Sequence, residues 1–254
     1  MSRPILALEK VAVRFGALRA VDGVSLALGP GERRAVIGPN GAGKTTLFNA
    51  ITGVILPAEG RILLDREDVT RAAPHRRARR GMGRTFQITN LFANLSVDEN
   101  MRLALRGARP GKFSLFGRDR LGAGERARVD RALAASRLSG RGEAVVRELS
   151  YGEQRQLELA MALVTEPRLL LLDEPAAGLS PAERGHVAEI VRALPRDLTI
   201  VLIEHDMELA LGLVDRVTVM HEGRVLVEDA PDRIRGNEAV QEVYLGRPHA
   251  VEPA

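Results

Sequence analysis

Two groups of residues in this chain have the types and spacing to act on a chain of phosphates. Gly38-Pro39-Asn40-Gly41-Ala42-Gly43-Lys44-Thr45 fits G-x-x-x-x-G-K-[ST], in which glycines let successive backbone N–H groups turn inward around phosphate oxygens. Lys44 would carry positive charge to the β and γ phosphates. The Thr45 hydroxyl would ligate magnesium, an ion that prefers hard oxygen donors, and Thr46 offers a further hydroxyl. The second group, Leu169-Leu170-Leu171-Leu172-Asp173-Glu174, ends an apolar run in two acids. Asp173 would hold magnesium directly or through water, and Glu174 would polarise the water that attacks the γ phosphate.

These groups need particular elements to position them. Arg34 to Ile37 reads as a strand and Leu47 to Ile51 as a helix, which is the strand, loop and helix context the glycine-rich loop requires. The helix start adds the positive end of its dipole to the cradle. Leu169 to Leu172 and Thr199 to Ile203 read as buried strands flanking a helix from Pro181 to Leu194. That gives a βαβ crossover and so a parallel sheet, with the two acids at the strand end where such sheets bind ligands. Leu6 to Phe15 alternates as a half-exposed strand does, and with Val21 to Leu28 and Arg61 to Leu64 predicts a small antiparallel sheet at the start. Between about 89 and 166 the period becomes helical, with apolar residues three and four apart in Val97 to Leu105, Gly124 to Arg137 and Gly152 to Val164. Residues 107–123 read as a loop or a short extra helix, and the tail from His249 as frayed.

Composition narrows the function classes. Hydrophobic content of 45% and charged content of 28% are ordinary for a globular protein, while 3% aromatic residues argue against a nucleic-acid binder built on ring stacking. No apolar run approaches the ~18 residues of a spanning helix, and no signal-peptide core follows Met1, so a cytosolic chain is expected. The absence of cysteine excludes disulfides and thiol catalysis, and five histidines without metal-ligand spacing make structural zinc unexpected. The net charge of +4 is carried almost wholly by Arg, since Lys occurs only at 10, 44 and 112. The densest basic cluster, His75 to Arg80 with Arg84 beyond, reads as a solvated helix face, with contact to anionic lipid or nucleic acid as its alternative.

Further motifs lie in order between and after these groups: Gln87 in Gly83-Arg84-Thr85-Phe86-Gln87, Leu149-Ser150-Tyr151-Gly152-Glu153-Gln154, and His205 in Ile203-Glu204-His205-Asp206. Together with the loop and the acidic strand end, they resemble the ATP-binding subunits of ABC transporters over nearly the whole chain. The segments Asp173 to Leu179, Glu204 to Met207 and Tyr244-Leu245-Gly246 resemble more closely one of the two ATPase subunits of branched-chain amino-acid importers. The resemblance implies an α/β fold, a P-loop NTPase (RecA-like) parallel-sheet core with an N-terminal antiparallel β-subdomain, formed by 1–88 with 167–254. An α-helical signature subdomain at 89–166 would be inserted in it.

The same resemblance implies a head-to-tail dimer with a second ATPase subunit, a paralogue in this subgroup, sandwiching two ATP molecules with Mg2+. Each nucleotide would lie between the loop Gly38 to Thr46 of one subunit and Ser150, Gly152 and Glu153 of the other. Ser150 offers a hydroxyl and Gly152 a close backbone N–H at a helix start, which suits an anion; a plain helix N-cap is the other reading of Ser150. Phe15 would stack on adenine, with core packing as its alternative. His205 would hydrogen-bond the γ phosphate, and Gln87 would ligate magnesium or the attacking water. Two permease subunits and, indirectly, an extracytoplasmic solute-binding protein are implied as partners at the cytoplasmic face of the membrane, with no nucleic acid. Residues 88–95, including Phe92, would receive a permease helix. Ser180 stands where many relatives have Asp and reads chiefly as an N-cap. A soluble ABC ATPase acting on ribosomes or DNA, or an exporter subunit, remain as alternatives.

Overall fold

In a computed structural model of the chain, the structure describes residues 3–85, 91–108 and 121–245. In chain order the elements are β1 (Leu6–Phe15), β2 (Leu18–Leu28), β3 (Arg33–Ile37), α1 (Lys44–Thr52), β4 (Glu59–Leu64) and β5 (Glu67–Asp68). They continue with α2 (Pro74–Arg79), β6 (Met82–Arg84), α3 (Val97–Ala108), α4 (Ala123–Ala135), α5 (Tyr151–Leu163), β7 (Leu169–Asp173) and α6 (Pro181–Ala193). The last are β8 (Thr199–Ile203), α7 (Met207–Leu211), β9 (Arg216–His221), β10 (Arg224–Asp229), α8 (Pro231–Arg235) and α9 (Glu238–Leu245). The chain divides into two compact units, Met1–Arg71 with Val201–Ala254, and Ala72–Ile200.

The first unit contains the expected antiparallel sheet, ordered β2-β1-β4-β5. Alternation in β1 buries Leu6, Leu8, Val11 and Val13 against Val21, Val24, Leu26 and Leu28 of β2. The same unit holds β3 parallel to β9, which pairs antiparallel with β10. Alternation is absent from β3, whose five residues are all buried, as befits a strand covered on both faces. Its Ala35 and Ile37 join Val217 and Val219 of β9, Ile234 of α8 and Val240 of α9 in one apolar cluster, with Tyr244 packed at its edge.

In the second unit β6 and β7 pair in parallel. Val97, Met101 and Leu105 of α3 meet Val129 and Leu133 of α4 and Leu157 and Ala160 of α5 in a separate core. The three helices begin and end within a few residues of the periodic segments expected from sequence. The basic cluster is a helix, as its charge pattern implied, but not wholly solvated. Arg77 is buried and donates through Nε to the Ala72 carbonyl at 2.9 Å, while Arg76 and Arg79 are exposed.

Candidate functional site

The residues expected at the phosphates fall in both units, and each group has its own local construction. In the first unit, β3 ends at Ile37 and the chain wraps through Gly38 to Gly43 into α1. Two glycines there have steric reasons. A Cβ on Gly38 (φ 149°) would sit 2.1 Å from the Met220 carbonyl oxygen, and one on Gly43 (φ 94°) 2.2 Å from that of Ala20. Both are backbone atoms that cannot swing aside, so the loop is gripped between β2 and β9 and only glycine fits. The Gly223 amide donates to the Ala42 carbonyl at 3.1 Å and closes the grip.

Gly43 also occupies the N-cap of α1 and supplies no side-chain cap. By contrast α5, α6 and α7 are capped by Ser150, Ser180 and Asp206. No side chain caps the first N–H groups of α1, which together with the helix dipole favour an anion. Lys44 is 5% exposed, and its Nζ donates to the carbonyls of Gly38 at 2.7 Å and Pro39 at 2.9 Å. Its ammonium is thereby held at the rim of the loop. Asn40, Gly41 and Thr45 are exposed, while Thr46 is half-buried. Phe15, at the end of β1, is 50% exposed, which is not the environment of a core side chain.

His205 follows β8 and is exposed, and its backbone amide donates to the buried Glu204 carboxylate at 2.9 Å. Asp206 caps α7 by accepting from the Leu209 amide at 3.1 Å. The strand end therefore turns sharply under its own acids and leaves the imidazole outside.

In the second unit Asp173 closes β7 at 1% exposure and pairs with Arg84 of β6, Nη2 to Oδ2 at 2.8 Å. The Asp173 amide donates to the Thr85 hydroxyl at 3.3 Å. Glu174, 5% exposed, takes a left-handed backbone conformation at φ 49°. That conformation costs a non-glycine residue ~1–2 kcal/mol and must be imposed by its surroundings. The Ala177 amide donates back to the Glu174 carbonyl at 3.0 Å, so residues 174–177 form a tight turn.

Ser150 has the geometry of a capping box. Its hydroxyl accepts from the Glu153 amide at 3.2 Å, and the Glu153 carboxylate accepts from the Ser150 amide at 2.9 Å. The same hydroxyl also hydrogen-bonds the Glu153 carboxylate, since a serine both donates and accepts. Burial works against charge on Glu153, but the Ser150 amide and the Arg141 guanidinium at 2.7 Å outweigh it and hold its carboxyl below the usual carboxylate range. Gly152 is buried, and a Cβ there would lie 2.8 Å from Glu183 Oε1. A side chain at this position would displace the Glu183 carboxylate, a flexible group that can move aside. Ser180 caps α6 as expected, accepting from the Glu183 amide at 3.4 Å.

Gln87 lies outside the described residues. Arg84 was not singled out in sequence, because its partner lies 89 residues away and no spacing marks the pair. Each unit supplies a hard oxygen donor of the kind magnesium takes, the Thr45 hydroxyl in the first and the Asp173 carboxylate in the second. Among the described residues no helix is long and apolar enough to cross a membrane.

A glycine-gripped loop at an uncapped helix start, with a buried acid pair closing a parallel strand, defines a P-loop nucleotide-binding protein. Comparison with known proteins narrows this class. The family model described as ABC transporter matches residues 21–177, and that described as branched-chain amino acid ATP-binding cassette transporter matches 224–250. The chain is 41% identical to the high-affinity branched-chain amino acid transport ATP-binding protein LivG of Escherichia coli (strain K12), over 97% of this chain and 99% of that one. It is 39% identical to BraF of Pseudomonas aeruginosa, described in the same words, at the same coverage. Among solved structures, the ADP conformation of MJ1267, an ATP-binding cassette of an ABC transporter, superposes with a TM-score of 0.86 at 30% identity, covering 97% of this chain and 100% of that one. A dimeric post-hydrolysis state of the cassette MJ0796 bound to ADP and Pi gives 0.75 at 25% identity, covering 89% and 98%. The chain belongs to the ABC transporter family of ATP-binding cassettes, and it is an ATPase.

Proposed function

We propose that the chain energises import of amino acids, branched-chain or otherwise apolar, through separate membrane permeases, as a peripheral subunit on the cytoplasmic face. The observation that carries this reading is the full-length likeness to proteins named for branched-chain amino acid transport, extended by the match at 224–250. The nucleotide is ATP with Mg2+, held by Gly38 to Thr46, with Thr45, Asp173 and Gln87 toward the metal and Phe15 on adenine. Ser150, Gly152 and Glu153 serve the γ phosphate of the nucleotide bound by a second ATPase subunit, a paralogue, in a head-to-tail dimer. Magnesium neutralises charge on the phosphates when bound. Glu174 accepts the proton of the attacking water, His205 and Gln87 orient that water or the γ phosphate, and Lys44 offsets charge building toward the leaving oxygen. Closure of the dimer around two nucleotides binds one permease state better than the other, and that difference drives transport.

Extraction of membranes in mild detergent, capture of this chain and mass spectrometry of its companions test the reading. Two integral membrane proteins and a second ATPase are expected, with ATP hydrolysis in the reconstituted assembly raised by a branched-chain amino acid and its binding protein. Capture of ribosomal proteins without any membrane companion would replace it with the soluble alternative.

A further inference from the structure

The turn that carries Glu174 is pinned from the start of α5, by a residue to which no role has been given. Tyr151, the first residue of α5, directs its hydroxyl to the Ala177 carbonyl at 3.3 Å. Gly178 abuts its ring, since a Cβ there would come within 3.2 Å of Tyr151 Cε1. One turn further along the helix, Arg155 Nη2 donates to the Tyr151 oxygen at 2.8 Å, and its guanidinium carbon lies 5.2 Å from the ring centroid. Arg155 is fixed in turn by Glu158 at 2.9 Å, both side chains being under a tenth exposed. Arg155 and Glu158 line, with Asp173 and Pro175, a small cavity beside the turn.

The direction of support follows from these contacts. The Ala177 amide closes the turn onto Glu174, and the Ala177 carbonyl is the next group on the same peptide chain. A strained left-handed glutamate keeps its orientation only while neighbours over-determine it. Arg155 donates to the phenolic oxygen, so the phenol's own proton is the one aimed at Ala177. Rotation of the ring is blocked on one side by Gly178 and steadied by the cation on Arg155.

We infer that Tyr151 is a positioning residue for hydrolysis, acting through Ala177 to hold the turn in which the Glu174 carboxylate is aimed. The inference rests on the proposed role of Glu174. It adds a consequence: Ser150 and Gly152, assigned to a partner's nucleotide, share a helix start with the residue that steadies this subunit's own Glu174. Movement at the start of α5 would then be felt at the turn.

The test uses the full chain assembled with its companions, comparing wild type, Tyr151→Phe, Gly178→Ala and Lys44→Ala. Tyr151→Phe keeps the ring and removes the hydroxyl, and with it both the bond to the Ala177 carbonyl and the one accepted from Arg155, so kcat is expected to fall about five-fold. KM for ATP, nucleotide affinity and melting temperature should stay near wild type, a split that a purely structural role would not produce. Gly178→Ala presses on the same ring but at φ 76° also strains the backbone, so its fall in kcat should come with a lower melting temperature. An unchanged kcat in both variants overturns the inference, as does a rise in KM at constant kcat, which would put Tyr151 on the nucleotide-binding surface instead. Failure of the wider reading looks different, because Lys44→Ala would then hydrolyse ATP as fast as wild type.

Discussion

Replacing Arg84 with methionine leaves a buried carboxylate without the arginine it pairs with. Arg84 and Asp173 meet at 2.8 Å with side chains 10% and 1% exposed, so little water can screen or replace the lost charge. Removing one partner of a buried pair typically costs ~3–5 kcal/mol. Asp173 keeps other partners, which places the expectation at the lower end, about 3 kcal/mol, or roughly 6–12 °C in melting temperature for a chain of this size. Methionine retains much of the arginine stem, so the loss reports charge more than packing. Urea unfolding at neutral pH of wild type, Arg84→Met, Asp173→Leu and the double variant measures it as a cycle. The double variant is expected to regain most of the stability lost by either single one, because a well-packed apolar pair often matches a buried ion pair. A single-variant loss below about 1 kcal/mol, the range of an exposed pair, would refute the premise that Arg84 is the counter-ion of Asp173. So would a double variant no more stable than Arg84→Met.

Three further outcomes are expected. Gly43→Ala meets the Ala20 carbonyl and should cost more than about 3 kcal/mol and abolish nucleotide binding, whereas Gly41→Ala, with φ 80° but no atom within 4 Å of its Cβ, should cost only ~1–2 kcal/mol; thermal unfolding with and without ATP separates them. Burial pushes the Tyr244 hydroxyl up to about 12, with the Gly38 backbone acting the other way. Raised above its ordinary value of 10, this group favours the folded state fully below about pH 10, and that contribution is lost as pH rises through about 12. The tyrosinate absorbance of wild type minus that of Tyr244→Phe should therefore have its midpoint near 12, and a midpoint near 10 would contradict its burial. Phe92 is 54% exposed, and Phe92→Ala should weaken assembly with the permeases and substrate-stimulated hydrolysis while leaving the melting temperature nearly unchanged.

Periodicity made much of the fold legible. β1 spans the residues its alternation marks, although Val11, Ala12 and Val13 are all buried past a register shift, and α3, α4 and α5 follow their three-and-four spacing because one face of each meets a core. The hairpin of β9 and β10 was not legible. β9 buries four consecutive residues and so lacks alternation, and its turn at Glu222 and Gly223, both at positive φ, is not one of the Asn-Gly or Asp-Gly pairs that mark such turns. α9 is eight residues long and too short to form by propensity; it exists because Val240 and Tyr244 pack on the β3 cluster.

At the site, motif residues were legible because phosphate chemistry constrains their types, while their supports were not. Arg84 is opposed to Asp173 only through the pairing of β6 with β7. Tyr151 reaches Ala177 across 26 residues, and nothing in the local pattern announces the contact. For Gly38 and Gly43 the motif indicates glycine, but the carbonyls of Met220 and Ala20 explain why no other residue fits.

The structure of the assembled transporter carrying Glu174→Gln, with ATP and magnesium trapped, tests the central claim most directly. Ser150 and the start of α5 are expected within hydrogen-bond distance of the γ phosphate of a nucleotide whose β and γ phosphates lie in the other ATPase subunit's glycine-rich loop. A triphosphate enclosed by one subunit alone, with Ser150 and Gly152 far from every γ oxygen, would contradict the account.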